Sequence, residues 1–208
     1  LLPHSTLSMK DDYTVLVDGK GCENLTERQT ILQMYQPDAL CLQFDDIKNR
    51  KIAELREIFT GRQLLYVYHN QIDARGDKAN TEDEVFVACE EAVREIMEFI
   101  HRISTSANTY HFIVTSDHGF LYKRDKITES EKISGVSGKK AFVNRRFIVA
   151  DSAVVGDGID CLSLGKILGN EDAKVVSFPV SSHVFKVSGG GQNYGRGGSS
   201  PQGMRIRG

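Results

Sequence analysis

Apolar and polar positions along the first two thirds of the chain switch between a two-residue period and a three-to-four-residue period. Tyr13-Thr14-Val15-Leu16-Val17 is rich in β-formers and runs into Asp18-Gly19, a turn pair. Thr26 to Tyr35 predicts a short helix stopped near Pro37, and Ala39 to Phe44 a second apolar strand. Asp46 to Phe59 predicts a second helix, with Ile47, Ile52, Leu55 and Ile58 roughly on one face and Gly61 as its stop. Leu64 to Tyr68 is apolar on both parities, as suits a strand covered by helices on both sides.

The longest predicted helix begins at Thr81 and Glu84, which form an S/T-x-x-E capping pattern. Val85, Ala88, Ala92, Ile96, Phe99, Ile100 and Ile103 then recur at three- and four-residue steps to about Ser104. A strand at His111–Thr115 follows. Strand, long helix, strand implies a parallel pair joined by a right-handed crossover. The expected fold class is therefore α/β, a doubly wound and mostly parallel sheet. After Gly119 the pattern changes. Lys123 to Lys140 reads as a polar excursion, and Ala141–Ala150, Val175-Val176 and His183–Val187 as further strands. From Gly189 onward Gly, Ser, Gln and Arg dominate, so the chain divides into residues 1–188, one α/β domain, and 189–208, a Gly/Arg-rich segment expected to lack fixed structure.

Composition narrows the class without naming a function. A chain of 208 residues suffices for one sizeable core and not for two ordinary enzyme domains. A net charge of −2 supplies no overall pull towards nucleic acid or an anionic membrane. No apolar run approaches the roughly 20 residues needed to span a bilayer, so no membrane partner is expected. Leu1-Leu2-Pro3-His4 carries neither an initiator Met nor a signal-like segment and reads like the interior of a longer chain. Cys22, Cys41, Cys89 and Cys161 form no CxxC pair. Cys41 and Cys89 lie in apolar-patterned segments and are expected to be buried free thiols, which suits a reducing, cytoplasmic location.

Ligands of open α/β sheets bind beyond the carboxyl ends of the strands, and two acidic clusters lie there. Asp73-Ala74-Arg75-Gly76-Asp77 follows the Leu64–Tyr68 strand, and Asp117-His118-Gly119 follows His111–Thr115. Three carboxylates brought together repel unless a cation sits among them. Oxygen donors with one imidazole suit Zn, Mn or Mg rather than a thiolate-seeking metal. Asp18, Asp45 and Asp46 read instead as turn formers and helix caps. Arg75-Gly76-Asp77 also spells an adhesion tripeptide, here a coincidence. Neither a Walker A pattern nor a dinucleotide fingerprint occurs.

The order Tyr68-His69-Asn70-Gln71-Ile72-Asp73-Ala74-Arg75-Gly76-Asp77-Lys78, a long Glu-rich helix, then Thr115-Ser116-Asp117-His118-Gly119-Phe120-Leu121-Tyr122 resembles the PglZ proteins. These belong to the alkaline phosphatase superfamily and to Pgl/BREX phage-defence systems. The likeness runs over nearly the whole chain, including Val187-Ser188-Gly189-Gly190-Gly191-Gln192. The resemblance implies that Asp73 and Asp77 are ligands of one metal, with Asp where the superfamily has His, and that Asp117 and His118 are ligands of a second. It implies a two-ion site that clamps a phosphate monoester or diester for in-line attack by a metal-bound Ser or Thr, with other defence proteins as partners. The nucleophile and the first metal-binding Asp are expected before residue 1. Asp18 superficially resembles that Asp, yet Gly19-Lys20-Gly21 offers no hydroxyl. Arg196 stands where the family has a late His; a guanidinium cannot ligate a cation, but it can hold a phosphate. His183, in an apolar strand, reads as a packed core residue.

Two other readings remain open at the level of sequence. One is a non-catalytic α/β scaffold or interaction domain in a defence complex, favoured by Arg196. The other is single-stranded nucleic-acid contact through Gly191–Gly208, where Arg196, Arg205 and Arg207 stand near glycines with no aromatic besides Tyr194.

Overall fold

The structure, a computed structural model, describes residues 1–125, 127–134, 141–180, 182–187 and 193–195. Its centre is a parallel pair, Leu40–Gln43 beside Leu65–Tyr68, in the register Leu40↔Leu65 to Gln43↔Tyr68. Alternate side chains on a strand face opposite ways, and the two faces of this pair are filled differently. Cys41, Tyr66 and Tyr68 face Leu32 and Ala39, packing under the helix Leu25–Tyr35. Leu42 and Leu65 face a second cluster of Phe44, Ile47, Leu55, Phe59, Phe99, Ile103 and Ala107. The second cluster is built from the helices Phe44–Ile47, Ile52–Phe59 and Val85–Ser106. Helices thus lie on both faces of the strand pair, and the α/β expectation holds at this level.

The doubly wound parallel sheet does not appear among the described residues. His111–Thr115, expected as a strand beside Leu65–Tyr68, joins no ladder. Phe112 still packs against the Leu65 cluster, but Ile113 is 93% and Val114 61% exposed. A run of β-formers becomes a strand only when a neighbour offers its hydrogen bonds and a face to pack on. Most other pairings are antiparallel. Ala141–Val143, Ile148–Ala150, Val175–Pro179 and Ile159–Ser163 form a four-stranded antiparallel sheet. Val184–Phe185, within the expected strand His183–Val187, pairs in parallel with Lys132–Ile133, which lies inside the segment expected to be a polar excursion.

Local chemistry explains where the helices depart from the pattern. The expected helix Asp46–Phe59 breaks between Ile47 and Ile52. The Arg102 guanidinium draws out the carbonyls of Lys48 (2.8 Å) and Arg50, and Glu54 accepts the Lys51 N–H at 2.9 Å, restarting the helix there. Thr81 does not cap the long helix. Its hydroxyl donates to the Arg75 carbonyl at 2.9 Å, and a 3-10 turn over Glu82–Glu84 leads into Val85–Ser106.

At the other end of the chain, Asp18 and Gly19 both take positive φ, 50° and 74°, as a two-residue hairpin turn between Val17 and Lys20 requires. Cys41 is buried as expected, whereas Cys89 is only half-buried; burial pushes both thiols up. Among the described residues, no helix is long and apolar enough to cross a membrane.

Candidate functional site

Asp73 sits on the helical turn Gln71–Gly76 that leaves the carboxyl end of the Leu65–Tyr68 strand. That turn is fastened to the long helix from several points. Gln71 Nε2 and Arg75 Nη2 both donate to Glu91 Oε2, at 2.8 and 2.5 Å. His69, just before the turn, lies 4.8 Å from the Phe44 ring and 3.3 Å from the Glu95 carboxylate, which also attracts Lys48 at 3.6 Å. Arg75 is thus engaged internally, and the adhesion-like tripeptide has no separate meaning here.

Asp117 and His118 come off the open segment 107–120 and turn back towards Asp73. His118 Nε2 lies 3.5 Å from Asp73 Oδ2 and 3.7 Å from Asp117 Oδ1. Asp117 Oδ1 also accepts the backbone N–H of His118 at 3.0 Å. The other ring nitrogen, Nδ1, is 3.1 Å from the Gly119 carbonyl. A carbonyl oxygen can only accept, so Nδ1 carries the hydrogen and Nε2 is the atom that meets the carboxylates. In the neutral ring the Nε2 lone pair then stands against two negative groups. A cation between them would make that arrangement favourable. Fixing the far nitrogen on a carbonyl is also how proteins orient a histidine that ligates a metal.

Three of the four expected ligands therefore come together: Asp73, Asp117 and His118. Asp77 lies four residues beyond Asp73. It is exposed at the end of the helical turn, with its N–H on the Asp73 carbonyl at 2.9 Å. Among the described residues no group of three or more His, Cys, Asp or Glu side chains is gathered tightly enough to hold an ion. As donors, two carboxylates and an imidazole fit a hard or borderline divalent cation as a partial set. Asp117 is 72% exposed, against 23% for Asp73 and 29% for His118, so its side chain has room to swing inward.

The remaining residues singled out from the sequence fall elsewhere. Arg196, and with it Arg205 and Arg207, lies outside the described residues. Asp18 is a turn anchor. It accepts from the backbone N–H groups of Ser5 and Thr6 at 2.9 and 2.7 Å and from the Tyr35 hydroxyl at 2.6 Å, and these bonds hold its carboxyl down to about 2. His183 is half-buried at a turn before Val184–Phe185 rather than packed in a core, and its carbonyl accepts from Arg146.

Two neighbours of the site went unread in the sequence. The Tyr194 hydroxyl donates to Asp73 Oδ1 at 2.6 Å, and the buried Glu82 carboxylate accepts the backbone N–H groups of Asn193 and Tyr194 at 2.9 and 3.1 Å. The one available signal was that Tyr194 is the sole aromatic residue in the Gly-rich stretch from 189 to 208.

Comparison with known proteins gives the family. Residues 1–206 match the family described as the BREX system PglZ alkaline phosphatase-like domain. The chain is 33% identical over 207 residues to the alkaline phosphatase-like protein PglZ of Bacillus cereus (strain H3081.97), covering 97% of this chain and 24% of that protein. It is 28% identical over 194 residues to the alkaline phosphatase-like protein BrxZ of Escherichia coli O9:H4 (strain HS), covering 91% of this chain and 22% of that protein. The chain thus spans about a quarter of the length of these relatives. No solved structure matches it.

Proposed function

The chain belongs to the BREX PglZ alkaline phosphatase-like family, and on that premise we propose that it carries a portion of a metal-dependent phosphoesterase site acting in phage defence. The observation that supports this best is the meeting of His118 Nε2 with the carboxylates of Asp73 and Asp117, at 3.5 and 3.7 Å, while Nδ1 is held by the Gly119 carbonyl. Asp73, Asp117 and His118 would hold a divalent ion, Zn, Mn or Mg, with Asp77 as a further ligand of a two-ion site. When bound, such ions polarise the phosphoryl oxygens and lower the pKa of the attacking hydroxyl. The chain's own share is to position the donors: the turn 71–76 fixes Asp73, and Gly119 fixes the ring of His118. The substrate class is a phosphate monoester or diester. Its nucleophile, on this reading, belongs to a region of the protein outside these 208 residues, so the chain alone hydrolyses nothing.

The same reading places the doubly wound sheet in the complete domain, where His111–Thr115 would gain strand neighbours. It divides the chain into an α/β region spanning residues 1–188 and the segment 189–208, with Arg196 as a phosphate contact. It also places the protein in the cytoplasm beside other defence proteins. Arg196, where the family has a late His, favours a second reading, a non-catalytic scaffold within a defence assembly. Cation affinity and turnover of p-nitrophenyl phosphate and bis-p-nitrophenyl phosphate by the whole protein separate the two. Asp117→Ala and His118→Ala should each weaken cation binding and abolish turnover. Unchanged cation binding and turnover in both variants would refute the enzyme reading.

A further inference from the structure

Tyr194 lies 121 residues from Asp73 along the chain, yet its hydroxyl oxygen stands 2.6 Å from the Asp73 carboxylate, a length typical of a charge-assisted O–H···O bond. The rest of its surroundings serve that placement. Residues 194–195 pair antiparallel with 121–122, in the register Tyr194↔Tyr122 and Gly195↔Leu121. The pairing extends to Lys123 N–H, which donates to the Asn193 carbonyl at 3.0 Å. The Asn193 side chain donates to the carbonyls of Lys123 and Arg124 at 2.6 and 3.0 Å. Glu82 holds the two backbone N–H groups from the other side. Burying a carboxylate is costly unless it is well bonded, and here it holds the backbone of Asn193 and Tyr194.

The ring itself rests 5.2 Å from Phe120 and is 4% exposed. It lies so close to Gly76 that a Cβ there would stand 2.6 Å from the Tyr194 ring. Gly76 thus has a physical reason inside the Asp73-Ala74-Arg75-Gly76-Asp77 motif: only a residue without a side chain leaves room for the phenol. The segment joins the two acidic clusters, since it is zipped onto the strand that follows Asp117-His118-Gly119 and delivers its hydroxyl to Asp73.

We infer that Tyr194 is a positioning residue of the site, which orients the Asp73 carboxylate by bonding Oδ1 so that Oδ2 faces His118. A neutral phenol suits this task. It fixes the carboxylate without cancelling the negative charge that a cation would need, as a Lys or Arg in the same place would. Outer-shell hydrogen bonds of this kind tune how tightly a carboxylate holds a metal. The inference rests on the reading of Asp73, Asp117 and His118 as cation donors.

The test is calorimetric titration of Mn²⁺ into the whole protein as wild type, Tyr194→Phe, Glu82→Gln and Asp73→Asn, with thermal melting of each. Tyr194→Phe keeps the ring on Gly76 and Phe120 and removes only the hydroxyl. Its Mn²⁺ affinity should fall roughly 10- to 100-fold while its melting temperature stays close to wild type. A merely structural role would leave that affinity unmoved. Glu82→Gln, which loosens the clamp without touching Asp73, should weaken Mn²⁺ binding in the same direction and serves if Tyr194→Phe does not fold. Wild-type affinity in these variants, together with lost binding in Asp73→Asn, overturns the role of Tyr194 and leaves the donor reading standing. Absence of Mn²⁺ binding by the wild type, or Asp73→Asn binding as the wild type does, removes the donor reading and this inference with it.

Discussion

Asp73 and the Asp117–His118 pair reach the same point from opposite surroundings. Asp73 stands on a short turn tied to the long helix through Gln71, Arg75 and Glu91, directly above a strand with helices on both faces. Asp117 and His118 hang from a segment that joins no strand ladder among the described residues and exposes Ile113 and Val114. The difference separates two ways of placing a functional group. One is by burial of the scaffold beneath it. The other is by a few directed polar contacts, here Gly119 to the imidazole and the Asn193–Gly195 segment to the strand just beyond.

The largest effect that would break this contrast lies in the packed half. Leu55 is 1% exposed among Phe44, Phe59, Phe99 and Ile103. Leu55→Ala should cost about 2–5 kcal/mol in urea unfolding, and a loss well below that range would mean that the helical cluster is looser than it looks. Gly76→Ala comes next. Alanine should gain up to about 1 kcal/mol in helix propensity, but a Cβ at 2.6 Å from the Tyr194 ring should cost about 1–3 kcal/mol. A net destabilisation that vanishes in Gly76→Ala/Tyr194→Ala would locate the clash at the ring. Stabilisation by Gly76→Ala alone would show that the ring is not held there.

A smaller effect is expected in acid. Lys123 holds the Glu131 carboxyl down to about 2 from its ordinary 4.5, and the Tyr35 hydroxyl with the N–H groups of Thr6 and Ser5 holds Asp18 at about 2 against 3.8. Because both folded values lie below the unfolded ones, each contribution is complete above the ordinary value and fades as pH falls towards about 2. Glu131→Gln should therefore lower stability at neutral pH slightly and flatten the acid limb between pH 4.5 and about 2. An unchanged limb would mean that the Lys123–Glu131 pair is not kept in solution. The smallest effect belongs to the open segment: Ile113→Lys should alter the stability of this chain by no more than about 0.5 kcal/mol. A large loss would show that residue 113 is covered.

How much of this the sequence discloses depends on whether the cause is local. The alternation of strand and helix from Tyr13 to Ser106 was legible because each element buries a face of its own period. The approach of Asp73, Asp117 and His118 to one another was legible because both clusters follow apolar runs at the ends of predicted strands. His111–Thr115 was misread because β-formers announce the capacity to pair and not the presence of a neighbour. The break at Lys48–Lys51 was hidden because its cause, Arg102, lies far along the chain. The contact of Tyr194 with Asp73 and Gly76 was invisible for the same reason, and a capping pattern at Thr81 misled because the hydroxyl had a nearer carbonyl to serve.

X-ray absorption at the zinc edge tests the central claim most directly. With one equivalent of Zn²⁺ on the whole protein, the account predicts a first shell of oxygen and nitrogen at about 2.0–2.2 Å, with the outer-ring scattering of an imidazole that disappears in His118→Ala. A first shell containing sulfur, or imidazole scattering that persists in His118→Ala, would contradict it.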